Sequence, residues 1–141
     1  MNINEIAKLA GVSRATVSRY LNDGYVSAEK RQIIRRVIEE TGYQPSSQAQ
    51  MLRTKKTKLV GVILPKINSN TISREVAGIS DILTQKGYQI ILANTNNDIE
   101  EELKYLSLFK DNQVDGVIFI ATVFTKKHKK MLKESKVPVV I

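Results

Sequence analysis

The sequence predicts an all-α helix-turn-helix headpiece followed by a partial α/β domain with a parallel sheet. Three observations lead there. Residues 1–41 carry three short stretches with apolar residues at helical spacing, parted by turn residues. From Leu59 onward, apolar strands alternate with amphipathic helices, a pattern that closes as a parallel sheet with right-handed crossovers. The charge is also unevenly divided. Residues 1–58 hold 11 Lys+Arg and 5 Asp+Glu, whereas residues 59–141 hold 11 and 9. The basic excess lies mainly in the helical part, which points that part toward a polyanion. The division expected is 1–45 for the headpiece, 46–58 for a short helix and linker, and 59–141 for the α/β part.

In the first helix, Ile3, Ile6, Ala7 and Ala10 recur at helical spacing, and Gly11 ends it where a left-handed residue is needed. Ser13 is a good N-cap for the second helix. Val17 and Leu21, with Tyr20 between them, form its apolar stripe. Arg14, Ala15, Ser18, Arg19 and Asn22 fall on the opposite face. Two arginines, small hydroxyl or methyl groups and an Asn are the groups that meet phosphates and base edges. Ala7, Gly11 and Val17 stand where a helix-turn-helix needs a small contact, a turn and a packing residue. The plainer reading, a helical hairpin with basic surface residues, explains one of these spacings at a time rather than all three together.

Asp23-Gly24 is a turn signal. Ser27 caps a third helix with Glu29 in its first turn, where the helix dipole favours an acid. Ile33, Ile34, Val37 and Ile38 form its buried stripe, and Thr41-Gly42 ends it. Pro45 disfavours helix at Gln44 but suits the first turn of a segment that follows. Residues 46–54 form about two turns of helix, with Ala49 and Leu52 on one face. A helix this short needs a partner to persist. Lys55-Lys56-Thr57-Lys58 is a basic connector.

In the α/β part, L-V-G-V-I-L from Leu59 reads as a strand buried on both faces. A helix spans 71–86, with Ile72, Val76, Ile79 and Leu83 periodic and Gly87 as its stop. Tyr88 to Ala93 is a strand. Asp98 opens a helix with Glu100, Glu101 and Glu102 in its first turn and Leu103, Leu106 and Phe109 inward. Asp115-Gly116 precedes the strand V-I-F-I-A. Residues 125–135 form a basic helix, and Val137 to Ile141 begins a fourth strand. The chain stops on that apolar strand, which reads as a partial domain.

No cysteine is present, so neither disulfides nor thiolate chemistry are expected. No apolar run resembles a secretory signal or a membrane span, and the expected location is the cytoplasm. His128, inside K-K-H-K-K, is expected on an exposed helix face, with Lys126 to Lys130 as solvated surface. No His/Asp/Glu cluster has metal spacing and no Gly-rich phosphate loop occurs. No cofactor, no metal and no enzymatic activity are expected. Two other readings are a solute-binding module built on the α/β part and a nonspecific architectural DNA protein. The second would show no exposed reading residues.

The motifs I-x-x-I-A-K-L-A-G-V-S-x-x-T-V-S-R-Y-L-N, T-G-Y-Q-P, L-R-T-K-K-T, V-G-V-I-L-P and D-G-V-I-F run through the whole chain in order. In them the sequence resembles the lactose repressor (LacI/GalR) family of bacterial transcription regulators. The resemblance implies a repressor of a carbohydrate-related operon that binds double-stranded operator DNA as a homodimer. Arg14, Ala15 and Arg19 would read bases in the major groove, and Ser13, Thr16, Ser18 and Asn22 would meet phosphates. Residues 46–54 would be a hinge helix that pairs with its dimer mate and wedges Leu52 into the minor groove. The remainder would begin a periplasmic-binding-protein-like effector domain. There Thr71, Ile72 and Asn94, after strand ends, would offer one wall of a sugar site. One wall buries little of a ligand, so the chain as given is expected to bind no sugar tightly. The sequence departs from the family at Ser46, where Asn is common, at Gln50, where Arg is common, and at Thr71-Ile72, where an aromatic pair is usual.

Overall fold

The computed structural model describes residues 1–111 and 114–141, with Arg53 described by its main chain alone. The chain divides into two compact units, Met1–Lys55 and Lys56–Ile141.

The first unit is helical: α1 (Ile3–Leu9), α2 (Arg14–Leu21), α3 (Ala28–Thr41) and α4 (Ser47–Thr54). Asn2 and Glu5 close a capping box on α1. The turn into α2 follows from one glycine. Gly11 takes φ 64°, and the amides of Gly11 and Val12 return to the carbonyls of Lys8 and Ala7 at 3.2 and 3.0 Å. This pair of bonds satisfies helix-end carbonyls and reverses the chain sharply. Ile6, Ala7, Ala10, Val17, Val26 and Ile34 form the buried core, with Tyr20, Leu21, Val37 and Ile38 packed around it.

Two expectations for α3 need correction. Ser27 sits at the N-cap position, but its hydroxyl makes no capping bond. Ile33 is exposed, so the buried stripe is Ile34 flanked by half-buried Val37 and Ile38. In a bundle this small one row of the helix fills the available core, and a residue one position off that row stays in water.

The second unit is a four-stranded parallel sheet in the order β2-β1-β3-β4. Its strands are β1 (Leu59–Leu64), β2 (Gln89–Asn94), β3 (Gly116–Phe119) and β4 (Val139–Val140), connected through α5 (Asn70–Gln85), α6 (Ile99–Phe109) and α7 (Lys126–Glu134). β3 and β4 are shorter than the apolar runs V-I-F-I-A and Val137 to Ile141 suggested, because apolar composition continues past the last ladder bond. The core gathers Ile63, Ala93, Leu106, Phe109, Val114, Val117, Phe119 and Val137. Gly61, in the middle of β1, is there for space: a Cβ would lie 2.7 Å from the Phe109 ring. The strand therefore sacrifices a side chain so that α6 can seat an aromatic on it. α5 buries no residue fully; Ile72, Val76, Ile79 and Leu83 are half-buried.

Candidate nucleic-acid interface

The reading surface is built on α2. Its inner side is fixed by Val17, which is 0% exposed in the core of the first unit. Tyr20 and Leu21 pack beside it, and the Arg31 guanidinium lies 5.6 Å from the Tyr20 ring centroid. The outer side presents Arg14, Ala15 and Arg19, all exposed. The first turn carries no acid, so the positive end of the helix dipole faces outward uncompensated. That suits an anion.

The polar groups around the arginines are already ordered. Ser13 accepts from the Thr16 amide at 3.2 Å, and the Ser13 and Thr16 hydroxyls share a bond of 2.9 Å. One hydroxyl proton is used there and the other can still donate outward. Asn22 donates its side-chain amide to the Ser18 carbonyl. The turn after α2 assigns its roles differently from what Asp23-Gly24 suggested. Asp23 takes the left-handed conformation at φ 55°, while Gly24 bonds its amide to the Arg19 carbonyl at 2.8 Å. A Cβ on Gly24 would lie 3.2 Å from that oxygen.

Within the same unit, Arg14, Ser18 and Asn22 border a groove of about 290 Å³ together with Tyr43, Ser46 and Gln50. Leu52 is elsewhere on α4 and is 81% exposed. α4 itself is capped by Ser46, whose hydroxyl accepts from the Ala49 amide. None of its described side chains is buried, and Met51 is exposed as well as Leu52. An eight-residue helix with an uncovered apolar face is incomplete by itself.

Residues 2–46 match the family described as bacterial regulatory proteins, lacI family. That match makes this chain a member of the lacI family. The sucrose operon repressor of Staphylococcus xylosus is 41% identical over 99% of this chain and 44% of its own length. Catabolite control protein A of Priestia megaterium is 40% identical over 100% of this chain and 43% of its own. The fold matches a lac repressor dimer bound to operator and an anti-inducer, with TM-score 0.83 and 25% identity over 99% of this chain and 43% of that one. The chain thus spans a little under half the length of these lacI-family relatives.

The second unit places the remaining candidates. Thr71 is exposed in the first turn of α5, Ile72 is half-buried and Asn94 ends β2. The Asn94 side chain is committed locally: its oxygen accepts from the Ile67 amide at 3.2 Å and its nitrogen donates to Asn96 at 3.0 Å. It therefore holds the loop after β1.

Two features escaped the sequence reading. His128 is not on an exposed face. It is 0% exposed, and its Nε2 lies 3.1 Å from a carboxylate oxygen of Glu102, itself 1% exposed. Its Nδ1 accepts from the Thr125 amide at 3.1 Å, which places the ring proton on Nε2, facing Glu102. Phe119 and Phe124 stack on either side at 5.6 and 5.7 Å. Glu102 is thus more than part of a helix start. The K-K-H-K-K context hid this, because four flanking lysines make the segment read as solvated while the helix turns its one uncharged member inward. Asp115 is the second. It accepts from the Thr57 amide at 2.7 Å, the Thr57 hydroxyl at 3.0 Å and the Lys58 amide at 3.0 Å. Among the described residues no group of three or more His, Cys, Asp or Glu could hold a metal ion. No helix among them is long and apolar enough to cross a membrane.

Proposed function

We propose that this chain is a sequence-specific DNA-binding transcription regulator that represses a carbohydrate-related operon in the cytoplasm. The observation that carries the reading is the two-sided build of α2. Val17 is sealed in the core behind a face where Arg14, Ala15 and Arg19 are exposed, inside the segment that matches the lacI family. In this reading Arg14, Ala15 and Arg19 meet base edges in the major groove. Ser13, Thr16, Ser18 and Asn22 meet phosphates, which set position rather than sequence.

α4 is the second reader. Two copies of the chain pair their α4 helices on operator DNA and insert Leu52 into the minor groove, where an apolar wedge unstacks a base step and kinks the duplex. The relatives named as a sucrose operon repressor and a catabolite control protein support the carbohydrate connection. An effector would meet the second unit beyond the ends of β1 and β2, near Thr71, Ile72 and Asn94.

The test is selection of bound sites from random DNA by this chain, followed by salt titrations on a selected and a scrambled site. A sequence reader gives a preference of about a thousandfold or more that persists as salt rises. Equal affinity for both sites at every salt concentration would refute the proposal in favour of a nonspecific binder.

A further inference from the structure

The linker between α4 and β1 is held in an unfavourable conformation. Lys55 and Lys58 both have left-handed backbones, at φ 55° and 58°. Residues with a Cβ persist there only where their surroundings hold them. The hold on Lys58 comes from three directions. Its carbonyl accepts from the Gln89 amide at 2.9 Å, and its ammonium lies 4.5 Å from the Tyr88 ring centroid. Its amide donates to Asp115. Asp115 also takes both donors of Thr57, and the Thr57 hydroxyl in turn accepts from the Leu59 amide at 3.2 Å. The Asp115 amide donates to the Leu59 carbonyl at 2.8 Å. One carboxylate, 57 residues away in sequence, therefore gathers the last two linker residues before β1.

We propose that Asp115 is the positioning residue of the DNA-reading hinge. It fixes the path by which the chain enters β1, so that α4 is offered to DNA along a defined direction rather than on a free tether. The inference rests on the reading of α4 as a minor-groove element. Pre-ordering of this kind raises specific binding by reducing what must be ordered on the DNA. It leaves phosphate attraction, and so affinity for random DNA, unchanged. Asp115 touches no DNA in this account and acts only through Thr57 and Lys58.

Asp115→Asn tests it in the full chain. The amide keeps one acceptor oxygen but turns an N–H toward the Lys58 amide. Hydrogen exchange at Thr57 and Lys58 should quicken about tenfold or more, since bonds to a charged acceptor are the stronger kind. Preference for a selected site over random DNA should fall about tenfold or more, with random-DNA affinity and its salt slope unchanged. Thr57→Val removes only the hydroxyl contact. It should move both readouts the same way by a smaller factor, and it serves if Asp115→Asn does not fold. Unchanged exchange at Thr57 and Lys58 would overturn the latch. Faster exchange with full sequence preference would leave Asp115 a structural residue only and overturn its positioning role. A wild-type chain with no site preference would instead defeat the functional reading, while the exchange comparison still judged the latch.

Discussion

α2 and α4 are the same length and start alike, yet they are stabilised by different things. Each has eight residues and a serine N-cap that accepts from the amide three positions on. α2 seals Val17 in a core shared with α1 and α3. α4 buries none of its described side chains and leaves Leu52 in water. Capping and helix propensity are therefore nearly matched, and the difference lies in packing. The comparison separates two ways to present a helix to DNA. One is a rigid face on a finished scaffold. The other is a helix whose apolar side is completed by what it binds.

Val17→Ala should break the comparison most severely. It opens a void in the centre of a unit of about 55 residues, a size with little stability to spare. A loss of roughly 2–3 kcal/mol is expected, read as loss of the first unit's melting transition while the α/β unit still melts. Arg19→Ala should leave folding unchanged and lower affinity for a selected site by roughly 1–3 kcal/mol, relaxing preference at one base pair. Equal weakening on random DNA would make Arg19 a phosphate contact. Leu52→Ala should be silent in the free protein, within about 0.5 kcal/mol by thermal melting, and should weaken only the specific complex. A destabilised free protein would mean that Leu52 already has a partner.

Acid should act beside α4 rather than on α2. Burial alone would raise the Asp115 carboxyl's pKa, but the Thr57 and Lys58 amides, the Thr57 hydroxyl and the Lys56 charge outweigh it and hold the carboxyl below its ordinary value. A group depressed in the folded state stabilises above its unfolded value, and the contribution is lost as pH falls through the folded one. Exchange at Thr57 and Lys58, corrected for its intrinsic pH dependence, should therefore rise only in the acid range below the ordinary carboxylate value, and Asp115→Asn should abolish that rise.

Local periodicity made α2 and its exposed arginines legible, because a helix with one sealed and one open face writes both into its spacing. β1 was equally plain, since a strand covered on both faces is apolar throughout. The features that stayed hidden depend on residues distant in sequence. Ile33 is as apolar as Ile34, and only the position of the other helices decides which is covered. His128 reads as solvated until Glu102, 26 residues earlier, meets its ring. Asp115-Gly116 has the form of a turn, and nothing local shows that its carboxylate holds Thr57. Gly61 gave no sign that Phe109 requires its missing side chain.

The central claim is that α2 is complete in the free protein and α4 is completed by DNA. Hydrogen exchange on the amides of both helices, with and without a selected operator, measures this directly. The account predicts strong protection of α2 in both states, rapid exchange across residues 46–54 in the free protein, and strong protection of those residues on the operator. Equal protection of α4 and α2 in the free protein, unchanged by operator, would contradict it.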